Sequence, residues 1–158
     1  MAYFSQLLTQ NSLPLKWPKK HKEDIQRFVF MHQSAGVERA PFRRQLNFWA
    51  FSLTTALAEN LDPLASPSDK WGDKFISTKD VEMPDTLCDL IAVAAFHDLG
   101  HDHEDIDNPA QLIEVGNCLA GAGCTLVLEQ LNSKDLRLTP LDKALNYAAF
   151  LYNKTHFH

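Results

Sequence analysis

Residues 96–107 read FHDLGHDHEDID, a run in which histidines and carboxylates follow directly after an apolar stretch. Imidazole nitrogens and carboxylate oxygens are ligands for divalent metal ions such as Mn, Fe, Mg or Zn. His97 and Asp98 are adjacent, so they could share one cation or bridge two, with His101 and Asp102 close behind to assist. A metal held in this way generates a hydroxide that attacks a phosphoester. The run has the composition of a catalytic metal site, and equally that of a solvated acidic loop.

The strip VAAFHDLGH resembles the core strip of the HD-domain metal phosphohydrolases. This resemblance covers about ten residues. It implies a divalent metal cofactor, with His97 and Asp98 as its ligands, and a phosphohydrolase or phosphodiesterase activity.

The HD family pattern also includes an earlier histidine on another helix and a later aspartate about two helices downstream. The earlier histidine could only be His21 or His32, and the later aspartate could only be Asp142. Asp142 follows Thr139 at the third position of a predicted helix, where a carboxylate stabilises the helix N-terminus. That role explains Asp142 without a metal, so the sequence carries half of the pattern.

Other sequence features exclude several classes of protein. The chain has no Walker loop, dinucleotide-binding glycine motif, HExxH motif or nucleophile elbow. Its three cysteines, Cys88, Cys118 and Cys124, lie in apolar helical stretches without metal-ligand spacing, which predicts buried, reduced thiols. No run of eighteen apolar residues and no charged leader is present, so we expect a cytoplasmic protein without a membrane partner.

Charge is distributed unevenly along the chain, whose net charge is −5. Residues 1–44 carry eight Lys and Arg against three Asp and Glu, a net of +5, whereas residues 45–158 carry seven against seventeen, a net of −10. A basic segment joined to an acidic body is typical of proteins that bind a polyanion or an acidic partner face.

Hydrophobic periodicity predicts helices and no strands. Gly36 should end the first helix, and the third should be apolar nearly all round and therefore central. Asn108-Pro109 and Thr139-Pro140 are strong helix starts. The predicted helices cover about residues 21–34, 43–59, 85–98, 110–123, 124–132 and 140–153.

These elements predict an all-α fold, a single-domain bundle of five to seven helices that covers residues 1–158. A basic lead-in occupies about residues 1–22. One long irregular loop covers about residues 62–84, with Trp71 and Phe75 as its anchors on the core. A loop of this length inside a compact domain favours a binding role.

The segment PFRRQLNFWAFSLTTALAENLDPL is similar to a helix of the small DNA-phosphorothioation accessory proteins of the DndE type. The order of elements over about residues 41–132 is also similar to that family and to other small helical proteins of prokaryotic anti-phage defence systems. The resemblance implies a non-catalytic subunit that needs no cofactor and docks to DNA or to a partner protein. Its contact set would be Lys16, Lys19, Lys20, Lys22, Arg27, Arg39, Arg43 and Arg44.

Two functions from different classes are therefore expected. The first is an accessory subunit of a nucleic-acid-processing or defence complex, since Lys and Arg pair well with phosphates and with acidic surfaces. The alternative is an HD-like metal-dependent phosphohydrolase with His97, Asp98, His101, Asp102 and Asp142 as its metal residues.

Overall fold

The fold is all-α, as predicted, with six helices and one small sheet in the part of the chain that the structure describes. This structure is a computed structural model. It describes residues 3–29, 36–65, 71–72, 74–80, 83–98 and 108–156.

The helices are α1 (Tyr3–Thr9), α2 (Lys22–Arg27), α3 (Gln45–Ala58), α4 (Asp85–Asp98), α5 (Pro109–Leu131) and α6 (Pro140–His156). A 3₁₀ turn (Lys19–His21) precedes α2, and strands β1 (Pro14–Leu15) and β2 (Ile76–Ser77) form the sheet.

The chain divides into two compact units. The first contains Met1–Pro18 and Ala65–Cys118, and the second contains Lys19–Leu64 and Leu119–His158. The boundary falls inside α5, so this one helix contributes to both units. The single-domain organisation expected from the sequence stays a prediction.

Strands β1 and β2 of the first unit were not predicted. They pair antiparallel, with Pro14 opposite Ser77, and two backbone hydrogen bonds of 3.0 and 2.9 Å extend the pairing on either side. Strands of two residues are too short to show a periodicity of two. The loop anchors were predicted correctly, because Trp71 is buried and Phe75 stacks on Trp17 with ring centroids 5.2 Å apart.

Asn117 connects α5 to the strand segment within the first unit. Its Nδ2 donates to the carbonyl of Pro14 at 3.0 Å, and its Oδ1 accepts from the backbone N–H of Lys16 at 3.0 Å. The side chain is buried, so both ends of its amide satisfy backbone groups that would otherwise lack partners.

Helix α4 is buried on one side only, which corrects the prediction of a helix buried all round. Ile91, Ala94 and Ala95 are fully buried, whereas Val93 is 63% exposed. The buried side packs on α1, where the hydroxyl of Ser5 hydrogen-bonds the Cys88 thiol. The predicted end at Asp98 is correct.

Helix α2 ends seven residues earlier than the sequence suggested. The predicted helix continued to residue 34, but the structure ends α2 at Arg27. Phe28 and Val29 then leave the helix, because Val29 bridges to Phe42 and the Phe42 N–H donates to the Phe28 carbonyl at 3.1 Å. The remainder of the predicted helix, residues 30–34, lies outside the described residues.

Helix α5 is one continuous helix rather than the two predicted. The predicted start is correct, since the Asn108 Oδ1 accepts from the Gln111 N–H at 3.3 Å. By length and composition alone, the helix could cross a membrane. However, 72% of its most apolar 18-residue segment is buried inside the protein. That burial is typical of the core helix of a soluble protein.

The second unit contains a close helix crossing between α3 and α5. A Cβ atom placed on Gly123 would lie 1.8 Å from the carbonyl oxygen of Ser52 and 3.1 Å from the backbone nitrogen of Ala56. Only glycine permits this approach, because any side chain at this position would overlap the backbone of α3.

The Ser52 hydroxyl at this crossing has no hydrogen-bond partner in the described part of the chain, although the residue is fully buried. Because a buried, unsatisfied hydroxyl is costly and alanine is the better helix former, we expect Ser52→Ala to raise the unfolding free energy by about 1 kcal/mol. Urea unfolding measures this. The matched control is Thr55→Ala, since the buried Thr55 Oγ1 donates to the Phe51 carbonyl at 2.8 Å and its loss should destabilise. Equal losses in both variants would contradict the expectation.

Helices α3 and α6 are joined by a polar cluster at their C-terminal ends. The Lys154 Nζ lies 2.7 Å from Glu59, and the Tyr147 hydroxyl donates to the same carboxylate. Burial, together with the negative charge of Glu59, raises the pKa of Tyr147 to about 12.

A raised tyrosine pKa makes stability depend on pH in the alkaline range. Between about pH 10, the ordinary tyrosine value, and about pH 12, the unfolded chain loses the proton while the folded protein keeps it. The stabilisation is therefore complete below about pH 10 and is lost as pH rises toward 12. The measurement is the urea midpoint of unfolding as a function of pH. We expect the midpoint of Tyr147→Phe to fall less between about pH 10 and about pH 12 than that of the wild type. Tyr152→Phe, which changes an exposed tyrosine of the same helix, should show the same fall as the wild type.

Candidate functional site

The proposed metal ligands fall almost entirely outside the described residues. Helix α4 carries His97 and Asp98 at its end, but their side chains are outside the described part, as are His101 and Asp102 entirely. Among the residues that are described, no group of three His, Cys, Asp or Glu side chains could hold a metal ion. The metal reading of the FHDLGHDHEDID run therefore stays a prediction.

Asp142 has the capping role that its position in the sequence suggested. Its Oδ2 accepts from the Thr139 N–H at 3.0 Å, and its own N–H donates to the Thr139 Oγ1 at 3.2 Å. This reciprocal pair is a capping box at the start of α6. The Asp142 carboxylate is therefore engaged in capping α6, which belongs to the second unit, whereas His97 and Asp98 belong to the first unit.

His21, one of the two candidates for the earlier histidine of the HD pattern, has a local partner. Its Nε2 lies 3.2 Å from the Thr125 Oγ1 on α5. Burial is the largest cause that lowers the pKa of His21, Lys20 lowers it further, and Asp24 opposes them. His21 is therefore neutral at pH 7. His32, the other candidate, lies outside the described residues.

Six of the eight predicted contact residues form what we call the basic surface. All six belong to the second unit and are exposed to solvent. The three salt bridges of the described residues involve none of them. The basic surface consists of Lys19, Lys20, Lys22, Arg39, Arg43 and Arg44.

Local structure positions these six cations on two segments. Lys19 and Lys20 lie in the 3₁₀ turn and Lys22 is the first residue of α2, so they fall within about one helical turn. Arg43 and Arg44 directly precede α3, where the Asn47 Oδ1 accepts from the Arg44 N–H at 3.1 Å. Helices α2 and α3 are in contact, and the Val29–Phe42 bridge links the segments that follow and precede them.

Arg27 and Lys16 do not belong to this surface. The Arg27 guanidinium donates to Asp24 at 2.9 Å and to Asn132 at 2.8 Å, and it lies 5.3 Å from the centre of the Phe28 ring. The Arg27 side chain therefore links α2 to Asn132, which directly follows the C-terminus of α5. Lys16 is half-buried and belongs to the other unit.

Two of the three cysteines are poorly suited to act as nucleophiles. All three are buried, as predicted, and none forms a disulfide bond. Burial is the largest cause that raises the pKa of the Cys88 thiol, and burial also raises the pKa of Cys124 far above its ordinary value. A thiol with a raised pKa is a poor nucleophile, because the thiolate is the reactive form.

Taken together, these features define an all-α protein with an exposed basic surface on one of its two compact units. Comparisons of the chain with protein-family models, with curated proteins and with solved structures find no match.

Proposed function

We propose that the protein is a non-catalytic, helical accessory subunit of a prokaryotic nucleic-acid-processing or anti-phage defence complex. It would act in the cytoplasm and dock to DNA or to a partner protein of the assembly through the basic surface. The observation that carries this proposal is the set of six exposed Lys and Arg side chains, none of which takes part in a salt bridge within the described residues.

Physical chemistry favours an anionic ligand for such a surface. Exposed cations that take part in no salt bridge of the described residues can replace the counterions around a phosphate backbone, which is the main source of affinity in sequence-independent DNA binding. Engaged cations, by contrast, are already neutralised, as the pairing of Arg27 with Asp24 illustrates. The similarity of residues 41–132 to accessory proteins of the DndE type supports the same class of function.

The experiment is equilibrium binding of the protein to labelled duplex, nicked and single-stranded DNA at two salt concentrations, followed by fluorescence anisotropy. We expect binding that weakens steeply as salt is raised, because phosphate contacts release counterions. An absence of binding to all three DNAs at low salt would contradict DNA docking and leave an acidic protein face as the partner.

The alternative is an HD-like metal-dependent phosphohydrolase, and one observation favours it. Helix α4 ends at Asp98, so His97 and Asp98 stand at a helix end as this reading requires. The test is metal analysis of purified protein beside His97→Ala and Asp98→Ala. Stoichiometric Mn, Fe, Mg or Zn that is lost in both variants would overturn the accessory-subunit proposal.

A further inference from the structure

The aromatic side chains that flank the basic surface in the described part of the chain are buried. Phe28 follows α2 and is 6% exposed, and Phe42 lies shortly before α3 and is 8% exposed. The Phe42 ring packs edge-on against Phe48, with ring centroids 4.9 Å apart. The Nε2 of the half-buried His21 lies 3.2 Å from the Thr125 Oγ1. The described residues around these cations therefore offer no open ring face on which a base could stack.

The exposed aromatic residues in the described part of the second unit lie at the opposite end of α3 from the arginine pair that precedes this helix. Phe150 and Tyr152 are 53% and 57% exposed and belong to the last seven residues of α6. The C-terminal ends of α3 and α6 lie together, because the Lys154 Nζ is 2.7 Å from Glu59. Helix α3 has 14 residues and is therefore about 20 Å long. Rings at that distance cannot stack on the nucleotides whose phosphates the arginines would hold.

The helices beside the cations are not suited to enter a groove of DNA. Helix α2 has only six residues, and α3 is buried along most of its surface. The exposed positions of α3 are Asn47 and Thr54. The Asn47 Oδ1 accepts from the Arg44 N–H at 3.1 Å. The Thr54 Oγ1 donates to the Ala50 carbonyl at 2.9 Å. Because sequence is read by side chains that a helix or ribbon carries onto base edges, contacts from the basic surface fall on phosphates instead.

A surface that supplies charge without stacking favours duplex DNA over a single strand. The duplex carries one phosphate charge per about 1.7 Å of its axis, against about 3.4 Å for either strand alone. Proteins that hold single strands tightly add aromatic stacking, which contributes about tenfold or more per base. We infer that the ligand of the basic surface is the phosphate backbone of double-stranded DNA, held without base stacking and without sequence readout. This rests on the proposed function and narrows its ligand from DNA or a partner protein to one of the two.

The experiment is fluorescence anisotropy of the full chain with three labelled DNAs of about 20 nucleotides per strand, which is about two turns of duplex. They are an A·T-rich duplex, a G·C-rich duplex and a single strand that cannot pair with itself. We expect the two duplexes to bind within about threefold of each other, because phosphate contacts carry no sequence information. The single strand should bind about tenfold more weakly at about 0.1 M salt, since each of about five contacts contributes a salt slope of about 0.7 there against about 0.9 on duplex.

Arg43→Gln tests the same contact from the side of the protein. Loss of one phosphate contact should weaken binding to both duplexes by the same factor, about tenfold. The control is Lys79→Gln, which removes an exposed positive charge of the first unit and should weaken binding by less than about threefold. Circular dichroism shows that each variant is folded.

Two kinds of result separate this inference from the docking proposal on which it rests. A single strand bound as tightly as the duplexes, duplexes that differ by more than about tenfold, or a loss in Arg43→Gln confined to one duplex would overturn the inference and leave DNA docking in place. An absence of binding to all three DNAs would overturn DNA docking and the inference together, and would leave an acidic protein face as the partner.

Discussion

Gly123→Ala is expected to lower the unfolding free energy by about 3 kcal/mol or more, or to prevent folding. In most helices this change stabilises, since alanine is favoured over glycine by about 1 kcal/mol. Here the added methyl would overlap the backbone carbonyl of Ser52, at 1.8 Å from its oxygen and 2.8 Å from its carbon. A backbone group cannot rotate away as a side chain can, so α3 and α5 would have to separate and expose their shared core.

Urea unfolding of purified Gly123→Ala, followed by circular dichroism, measures the effect. Gly36→Ala is the matched control, because a Cβ on Gly36 has no neighbour within 4 Å. That variant should be neutral or stabilising by up to about 1 kcal/mol, through a less flexible unfolded chain. A Gly123→Ala protein as stable as the wild type would show that the α3–α5 crossing is looser than the structure has it.

Removing two lysines from the basic surface is expected to weaken DNA binding by about a hundredfold at about 0.1 M salt. The variant is Lys19→Gln with Lys22→Gln. Both side chains are exposed and take part in none of the salt bridges of the described residues, so the substitutions should leave the fold intact. Each phosphate contact contributes about tenfold at this salt concentration through the release of counterions. Anisotropy titration of a labelled duplex gives the dissociation constants.

The matched control is Lys79→Gln with Lys134→Gln, which removes the same charge from exposed lysines elsewhere. If binding depended only on net charge, both double variants would weaken it equally. We expect the control to lose less than about threefold, because its two lysines lie outside the basic surface and act only through the long-range field. Equal losses in the two variants would contradict a localised docking surface.

The parts of the fold that sequence predicted best are those with local signals. Helices α5 and α6 each have a capping residue followed by a proline at their starts, Asn108-Pro109 and Thr139-Pro140, and both helices begin where these signals stand. The Thr139–Asp142 capping box was also predicted, because its signal is local: a threonine cap with a carboxylate three residues later.

The elements that sequence missed depend on contacts between distant residues. Helix α2 ends at Arg27 because Phe28 and Val29 pair with the segment at Phe42, and nothing near residue 28 reveals this bridge. Helix α5 continues through its glycines because packing against α3 offsets their low helix propensity. Local composition alone favoured a break there.

The sequence identified the basic residues of the candidate site, but it did not show which of them already pair with other side chains of the protein. Arg27 was grouped with the contact residues, yet it pairs with Asp24 and with Asn132, which is 105 positions away in sequence. Asn117, with its two hydrogen bonds to the strand segment, was missed altogether. Its one signal in sequence was an amide side chain in the middle of an apolar helix. Hydrogen bonds between residues so far apart in sequence become visible only in the tertiary structure.

The most direct measurement of the docking proposal is the salt dependence of duplex binding for the wild type and for Lys19→Gln with Lys22→Gln. Across six cations we predict a slope of about −3 to about −5 in a plot of the logarithm of the association constant against that of salt concentration. The double variant should be shallower by about 1.8, since each lost phosphate contact removes about 0.9. An unchanged slope in that variant, or a wild-type slope near zero, would contradict the account.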